Sequence, residues 1–513
     1  HKGVDRIRQV VYIKRVKDVL SKCDDKYVDL KDHGLLWEVV KCEIRSDTLS
    51  YCSWKARTER ERQARLHKRL AEIEPCLDTD NTLKLEFDSL KRELENLMED
   101  KAKGAYVRAR AKYIEQGEKC TKFFLQQEKS RAKTKCITSL FTDSGLVESP
   151  ALIMKEQEKF YRNLYSKNVQ QNCESPCSFF NHDFPTLPNN KAPGTDGFTA
   201  DFYKFFWPDI KFMVFNSFMH AFESKTLSVE QRRAILTLLP KGDKDIRFLK
   251  NWRPLSLLNT DYKILTKTLA LRLQRVIPKI VHPNQTGCVK GRYIGENIRI
   301  LMDMIDFANC HTLNSCVAFL DFEKTFDSVS WQFLFKTLHK FNFGPDFISW
   351  IQIIYSKPEC AVTNNGHASE FFTITRGIRQ GCPISALLFI LVAEVMSINI
   401  RNSKNIKGFV LGDVEIKITQ YADDTSLFLS DIDSLRNVIK LLDNFSTCSG
   451  LKLNKEKTEA IQLGIMSHEK SKSNLGIKWI DQPTMVLGVW ICRDPGLVTE
   501  KNVVAKIQKK CIK

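Results

Sequence analysis

The chain has 513 residues, enough for about three structural units at roughly 150 residues each. Its 43% hydrophobic and 27% charged residues are those of a globular protein, which excludes wholesale disorder, a collagen-like repeat and a small disulfide scaffold. The 79 Lys and Arg exceed the 61 Asp and Glu by 18, giving a sequence pI of about 9.1. An excess that large points to a polyanionic partner, nucleic acid ahead of an anionic membrane.

The chain opens on His1 with no apolar stretch behind it, so neither a signal peptide nor an initiator is visible and it reads as a fragment. Residues 54 to about 131 read as long helices. Leu83, Phe87, Leu90, Leu94 and Leu97 recur at spacings of four and three, the seam of an amphipathic helix packed on a partner. That seam lasts two heptads, which suits a helical hairpin better than an oligomerising coiled coil. Pro75 and Gly104 mark its expected limits. From Lys101 to Lys135, eleven Lys and Arg stand against three Glu, with Tyr106, Tyr113, Phe123 and Phe124 among them. Such a segment either holds phosphates and stacks bases or is a solvated helix face with its rings turned inward.

Sixteen Cys are scattered without framework spacing, which suits free thiols in a reducing compartment. Cys173 and Cys177 with His182 come nearest to a zinc cluster, but no second ligand pair follows. Turn chemistry marks KAPGTDG (191–197), and AILTLLP (234–240) reads as a buried strand. Then come a strand VAFLD (317–321), a helix from about Ser328, a turn at NNG (364–366) and a helix ISALLFILVAEVMSINI (384–400). The uncharged core of that helix, CPISALLFILVA (382–393), is closed by Glu394 short of the roughly 18 residues of a membrane span, so no membrane partner is expected. A hairpin follows, EIKITQY and TSLFLS flanking ADD, and then a helix closed by Gly450. Strands and helices in segregated order predict an α+β sheet domain.

Asp321 ends one strand, and Asp423 with Asp424 sits at the tip of the hairpin. Carboxylates on adjacent rigid strands are what two metal ions ~3.5–4 Å apart need to clamp a phosphoryl transfer, and a site this sparse suits Mg²⁺. An Asp pair at a hairpin tip is also compatible with simple turn chemistry.

The neighbouring residues carry a further message. FLDFEKTFDSVSW (319–331), RGIRQGCPISALLF (376–389), QYADDTSLF (420–428) and GLKLNKEKT (450–458) follow in the order of motifs A, B, C and D of reverse transcriptases. Ahead of them, KAPGTDGFTADFY, LLPKGD, NWRPLSLLNTDYKI and HPNQTGCVKGRYIGENI closely resemble the finger segments of LINE-type (non-LTR) retrotransposon reverse transcriptases, and YIEQGEKCTKFFLQQEK (113–129) resembles the linker before them. The match spans residues 113 to about 490.

This resemblance implies a right-hand polymerase fold with fingers, palm and the start of a thumb behind a helical basic N-terminal extension. The domain boundaries it implies are 1–135 (basic linker region), 136–190 (extension before the fingers), 191–300 (fingers), 301–465 (palm) and 466–513 (start of a thumb). It makes Asp321, Asp423 and Asp424 ligands of two Mg²⁺ ions, with Mn²⁺ as a substitute, and the Phe322 carbonyl an additional ligand. Phe326 falls where the family places an aromatic ring beneath the sugar of the incoming nucleotide. Gln380 and Gly381 would line the nucleotide pocket, and Lys241 and Arg253 would grip its triphosphate. Lys457 is a candidate proton donor to pyrophosphate or else a surface lysine like Lys452 and Lys455 nearby. In the basic segment Lys122, Lys129, Arg131 and Lys133 would contact nucleic acid.

Ala386 departs from a usual Pro, and Cys288 from a usual aromatic. Full-length elements of this kind carry an endonuclease domain upstream and often a Cys/His segment downstream, and neither is seen in these residues. The implied partners are an RNA template, a DNA primer or target and deoxynucleoside triphosphates, with the oligomeric state open. The implied location is intracellular, cytoplasm and nucleus, as a ribonucleoprotein. The competing expectations are an inactive nucleic-acid-binding relic and an RNA-synthesising palm polymerase, the latter disfavoured by ADD and Phe326.

Overall fold

The structure, a computed structural model, describes residues 10–76, 81–109, 137–142, 145–165, 187–189, 191–242, 244–463 and 475–493. The chain divides into two compact units, His1–Phe160 with Asn181–Ile264 and Glu359–Phe371, and Tyr161–Phe180 with Leu265–Pro358 and Phe372–Lys513. Both mix helices and sheets, as the α+β expectation required.

In the first unit the helices Val10–Lys26, His33–Ile73 and Asn81–Ala109 come first. The second starts 21 residues before the expected position 54, where Asp32 caps it by accepting from Leu35 N at 2.8 Å. Its buried face is Trp37, Val40, Ile44 and Tyr51, a stripe at helical spacing. The expected limit at Pro75 is met by a short 3₁₀ turn, Glu74–Cys76. The limit at Gly104 is not, because the third helix runs through it to Ala109. A glycine inside a helix costs only about 1 kcal/mol relative to Ala, too little to stop one that good helix formers surround.

The seam residues Leu83, Phe87, Leu90, Leu94 and Leu97 are all half-buried. The second and third helices pack together and are tied by Arg62–Glu93 and Arg69–Glu86 ion pairs, which is the hairpin reading. The second helix also packs on Ala200–Ser224, Trp37 meeting Tyr203 edge-on at 6.1 Å. Strand Arg233–Pro240 then lies between Trp252–Leu258, antiparallel to it, and Glu359–Asn364, parallel to it. The expected turn at NNG joins the latter to His367–Ala368, with Asn365 and Gly366 both at positive φ, as a tight hairpin turn requires.

A buried charge cluster ties the second helix to the rest of this unit. Lys41 Nζ lies 2.8 Å from Asp261 Oδ2 and 3.3 Å from Asp196 Oδ2, and all three side chains are buried. Trp37 Nε1 donates to the same Asp261 oxygen at 3.0 Å. Burial pushes the Asp196 carboxyl up to about 6 against the pull of Lys41.

The second unit is built on a five-stranded sheet in the order Ile418–Tyr421, Asp424–Leu429, Ser315–Leu320, Glu459–Leu463, Lys478–Trp479. Neighbours are antiparallel except the last pair. Register aligns Phe428, Val317 and Ile461 across three strands. There they join Leu301, Met304, Ile305 and Ala308 of helix Ile294–Cys310 in the core. The alternate row, Leu427, Ala318 and Ala460, is also fully buried, so both faces are covered, which explains the near-continuous apolar run SCVAFL. Helices Ser385–Asn402 and Ile432–Ser449 pack on each other and on the two hairpin strands. The first of these is long and apolar enough to cross a bilayer by length and composition, but twelve of its residues are buried in the protein.

Among the described residues, Cys23, Cys42, Cys288, Cys310, Cys316, Cys448 and Cys492 are free thiols. Cys173, Cys177 and His182 lie outside the described residues.

Candidate active site

Asp321 follows the last residue of the central strand Ser315–Leu320, and its backbone is laced to the loop 452–458. Asn454 N donates to Asp321 O at 2.8 Å, Phe322 forms an isolated antiparallel bridge with Leu453, and Glu323 N donates to Lys452 O at 2.9 Å. Next to this strand, the hairpin Ile418–Tyr421/Asp424–Leu429 carries Asp423 and Asp424 at its turn. Thr425 pairs with Leu320, so one step further the antiparallel register sets Asp424 opposite Asp321. Asp423 Oδ2 accepts from Thr325 Oγ1 at 3.1 Å.

Burial first, and then Asp423 and Asp321, push the Asp424 carboxyl up to about 6. Asp424 thus stands among like charges that disfavour its ionised form, and a cation relieves that repulsion. Asp321 Oδ2 is buried with no hydrogen-bond donor, and the nearest cation described is Lys457 Nζ at 3.8 Å. The donor set therefore fits a divalent ion. Among the described residues no group of three or more His, Cys, Asp or Glu side chains is already placed to hold a metal ion. Mg²⁺ usually takes one or two carboxylates and fills its shell with water and substrate phosphates, so an open set of this kind suits it.

The other expected residues fall into two groups. Near the carboxylates, the Phe322 side chain is buried. Phe326 is half-buried in the short helix Thr325–Ser328 and stacks on Phe389, centroids 4.9 Å apart. Its carbonyl accepts from Ile378 N at 2.6 Å, which fixes the 376–381 loop against it. Gln380 in that loop donates from Nε2 to Asp327 Oδ1 at 3.4 Å, and Gly381 is exposed at φ +105°. Lys457 is largely exposed yet faces Asp321. In the first unit, Lys241 and Arg253 share one end of a strand pair. Arg253 pairs with Leu239, and Lys241 N bonds Asn251 O at 2.9 Å. Lys122, Lys129, Arg131 and Lys133 lie outside the described residues.

Several side chains that sequence reasoning passed over hold this site. Asp327 is buried and accepts from Tyr165 OH at 2.8 Å as well as from Gln380. Burial and the Asp327 charge push the Tyr161 phenol up, and burial lowers Arg376 against the pull of Asp327. An acid four residues before an apolar helix start, in KTFDSVSW, was the available signal. Its tyrosine partner, 162 residues upstream, left none. Gln285 likewise had a quoted motif around it but no assigned role.

Asp321, Asp423 and Asp424 thus stand at the ends of adjacent antiparallel strands backed by helices, the arrangement that the resemblance to a polymerase palm implies. Residues 239–491 match the family described as reverse transcriptase (RNA-dependent DNA polymerase), and the relatives that the chain resembles support a reverse transcriptase of the LINE type, non-LTR. The chain is 31% identical over 450 residues to the transposon TX1 uncharacterized 149 kDa protein of Xenopus laevis, covering 83% of this chain and 34% of that one. It is 24% identical over 364 residues to the Pol polyprotein of the type-2 retrotransposable element R2DM of Drosophila melanogaster, covering 68% and 33%. The chain thus spans about a third of the length of these curated relatives. Among solved structures, apo telomerase from Candida tropicalis aligns over 78% of this chain and 65% of its own, with 12% identity and a TM-score of 0.40.

Proposed function

We propose that this chain extends a DNA primer on an RNA template, using deoxynucleoside triphosphates, as the polymerase of a non-LTR retrotransposon. The observation that carries this reading is the meeting of Asp321 with the Asp423–Asp424 hairpin, where burial and then the neighbouring carboxylates hold Asp424 up to about 6. Two Mg²⁺ ions, or Mn²⁺, held by Asp321, Asp423 and Asp424 and by the Phe322 carbonyl, would neutralise the charge that develops on the transferring phosphate and on the attacking and leaving oxygens. Lys457 supplies a proton to departing pyrophosphate. Lys241 and Arg253 grip the triphosphate, a point charge and a bidentate fork. Gln380, steadied by Asp327, and Gly381 line the nucleotide pocket. Lys122, Lys129, Arg131 and Lys133 contact template or primer phosphates. The domain boundaries at 135, 190, 300 and 465, and a ribonucleoprotein moving between cytoplasm and nucleus, belong to the same proposal.

Phe326 is assigned the exclusion of ribonucleotides. Its ring is stacked on Phe389 and its carbonyl is tied to Ile378, so it yields little to a 2′-hydroxyl. Forced overlap costs ~1–3 kcal/mol, roughly 5- to 150-fold. Phe326→Val should raise ribonucleotide incorporation relative to deoxynucleotide by a factor in that range, measured as the ratio of kcat/KM values on a homopolymer RNA template. A ratio within about twofold of the parent, in a variant that has lost several kcal/mol of stability, makes Phe326 a core ring only. Absence of any extension by the parent makes the chain an inactive relic.

A further inference from the structure

The hairpin that carries Asp423 and Asp424 is strapped from outside its own sheet. Segment 282–287 runs beside the strand Ile418–Tyr421 as one more partial strand, Gln285 and Gln420 forming a parallel bridge. Gln420 N donates to Asn284 O at 2.8 Å, and Thr286 N to Gln420 O at 2.9 Å. The Gln285 side chain is fully buried and grips the turn itself. Its Oε1 accepts from Ala422 N at 2.8 Å and from Gly287 N at 2.9 Å, while its Nε2 donates to Ala422 O at 3.2 Å.

Ala422, immediately before the two aspartates, sits at φ +56°, a left-handed conformation that residues other than glycine adopt at a cost and keep only where their surroundings impose it. The Gln285 amide satisfies both main-chain groups of Ala422 in that conformation. Approach this close needs a glycine at 287, since a Cβ there would lie 2.1 Å from Ala422 N. Behind the strap, Arg292 donates from Nη1 to the His282 and Gln285 carbonyls, both at 2.7 Å. Its Nη2 reaches Val281 O at 2.8 Å and Pro278 O at 3.2 Å. The fork is thus spread over four main-chain acceptors, from Pro278 in the last turn of helix Thr260–Ile280 to Gln285 in the strap.

We infer that Gln285 is a positioning residue of the polymerase site, holding Ala422 in its left-handed conformation so that Asp423 and Asp424 are presented together. The inference rests on the reading of those carboxylates as ligands of divalent ions. It sets Gln285 apart from a core glutamine, because the groups it bonds belong to the turn that bears the ligands. Groups that orient metal ligands typically change metal affinity or activity by 10- to 100-fold when removed.

The test is Gln285→Met, which keeps the volume and removes all three hydrogen bonds, in the full 513-residue chain. Mn²⁺ binding, followed by the electron paramagnetic resonance of free ion, and primer extension are measured well below the thermal midpoint of each protein. Mn²⁺ affinity and kcat should each fall at least about tenfold, with the deoxynucleotide KM within about threefold of the parent. Adding Ala422→Gly, which takes the left-handed conformation without strain, should recover part of both losses.

A lowered thermal midpoint with Mn²⁺ affinity and kcat unchanged overturns the inference. If Gln285→Met does not fold, Arg292→Lys, which gives up the fork but keeps the charge, should weaken Mn²⁺ at least threefold, and normal affinity there overturns it equally. A parent that binds Mn²⁺ yet extends no primer refutes the polymerase reading, while weaker Mn²⁺ binding by the variant still upholds Gln285. A parent that binds no Mn²⁺ overturns both.

Discussion

Asp423→Asn is expected to abolish primer extension, by at least a hundredfold or ~2.8 kcal/mol of barrier, while RNA binding stays within about twofold. The substitution is nearly isosteric, and its amide oxygen remains able to accept the 3.1 Å bond from Thr325 Oγ1, so the hairpin and its strap persist. What is lost is one negative charge in a corner designed around three. A neutral amide cannot balance a divalent cation, and the repulsion that helps to hold Asp424 up to about 6 is also relieved. The variant should therefore keep Asp424 ionised at lower pH than the parent while binding Mg²⁺ more weakly. Steady-state extension and filter binding on the same preparation check this. A loss of less than tenfold, ~1.4 kcal/mol, removes Asp423 from the ligand set.

Lys41→Met is expected to produce the largest loss of stability, about 3–5 kcal/mol, the cost of removing one partner from a buried charge cluster. Methionine fills the space of the lysine stem but leaves Asp196 and Asp261 facing each other without the cation that sits 3.3 and 2.8 Å from them. The sign of the pH dependence follows from Asp196. Its carboxyl is at about 6 in the folded chain against 3.8 unfolded, so the folded state holds the proton more tightly. Its contribution favours folding at low pH and is lost as pH rises from about 4 to 6. Without Lys41 that window extends upward, and the deficit of the variant should be smaller at pH 5 than at pH 8. Denaturant titrations of parent and variant at the two pH values measure it. A deficit below ~1 kcal/mol at pH 8, or one that grows toward pH 5, contradicts the role given to the cluster.

How far the sequence foretold these features depended on how local the causes were. The strand behind Asp321 is a run of apolar residues ended by an acid. The helix Ser385–Asn402 is a long apolar stretch, and the turn at 364–366 is written in Asn and Gly, so each could be read where it stands. The ADD turn could be read only with its neighbours, because Asp pairs at hairpin tips are common. The start of the second helix was legible in principle, from the capping Asp32 and the stripe Trp37, Val40, Ile44 and Tyr51, and was overlooked.

Lys41 was not legible, since its carboxylate partners stand 155 and 220 residues away, and a lysine on a helix is ordinarily solvated. Tyr165 with Asp327, and Gln285 with Ala422, are likewise pairings that the folded sheet makes and no periodicity announces. The helix limit at Gly104 failed for the opposite reason: a local propensity of about 1 kcal/mol was outweighed by the helix on both sides of it.

The most direct measurement of the central claim is single-nucleotide addition to a primer annealed to a defined RNA template, with one template base varied through all four identities. With Mg²⁺ present, the parent chain should add only the deoxynucleotide complementary to that base. Addition should cease with EDTA and in the Asp423→Asn variant. Addition that ignores the template base, or that survives in Asp423→Asn, would contradict the assignment of Asp321, Asp423 and Asp424 as the centre of an RNA-templated DNA polymerase.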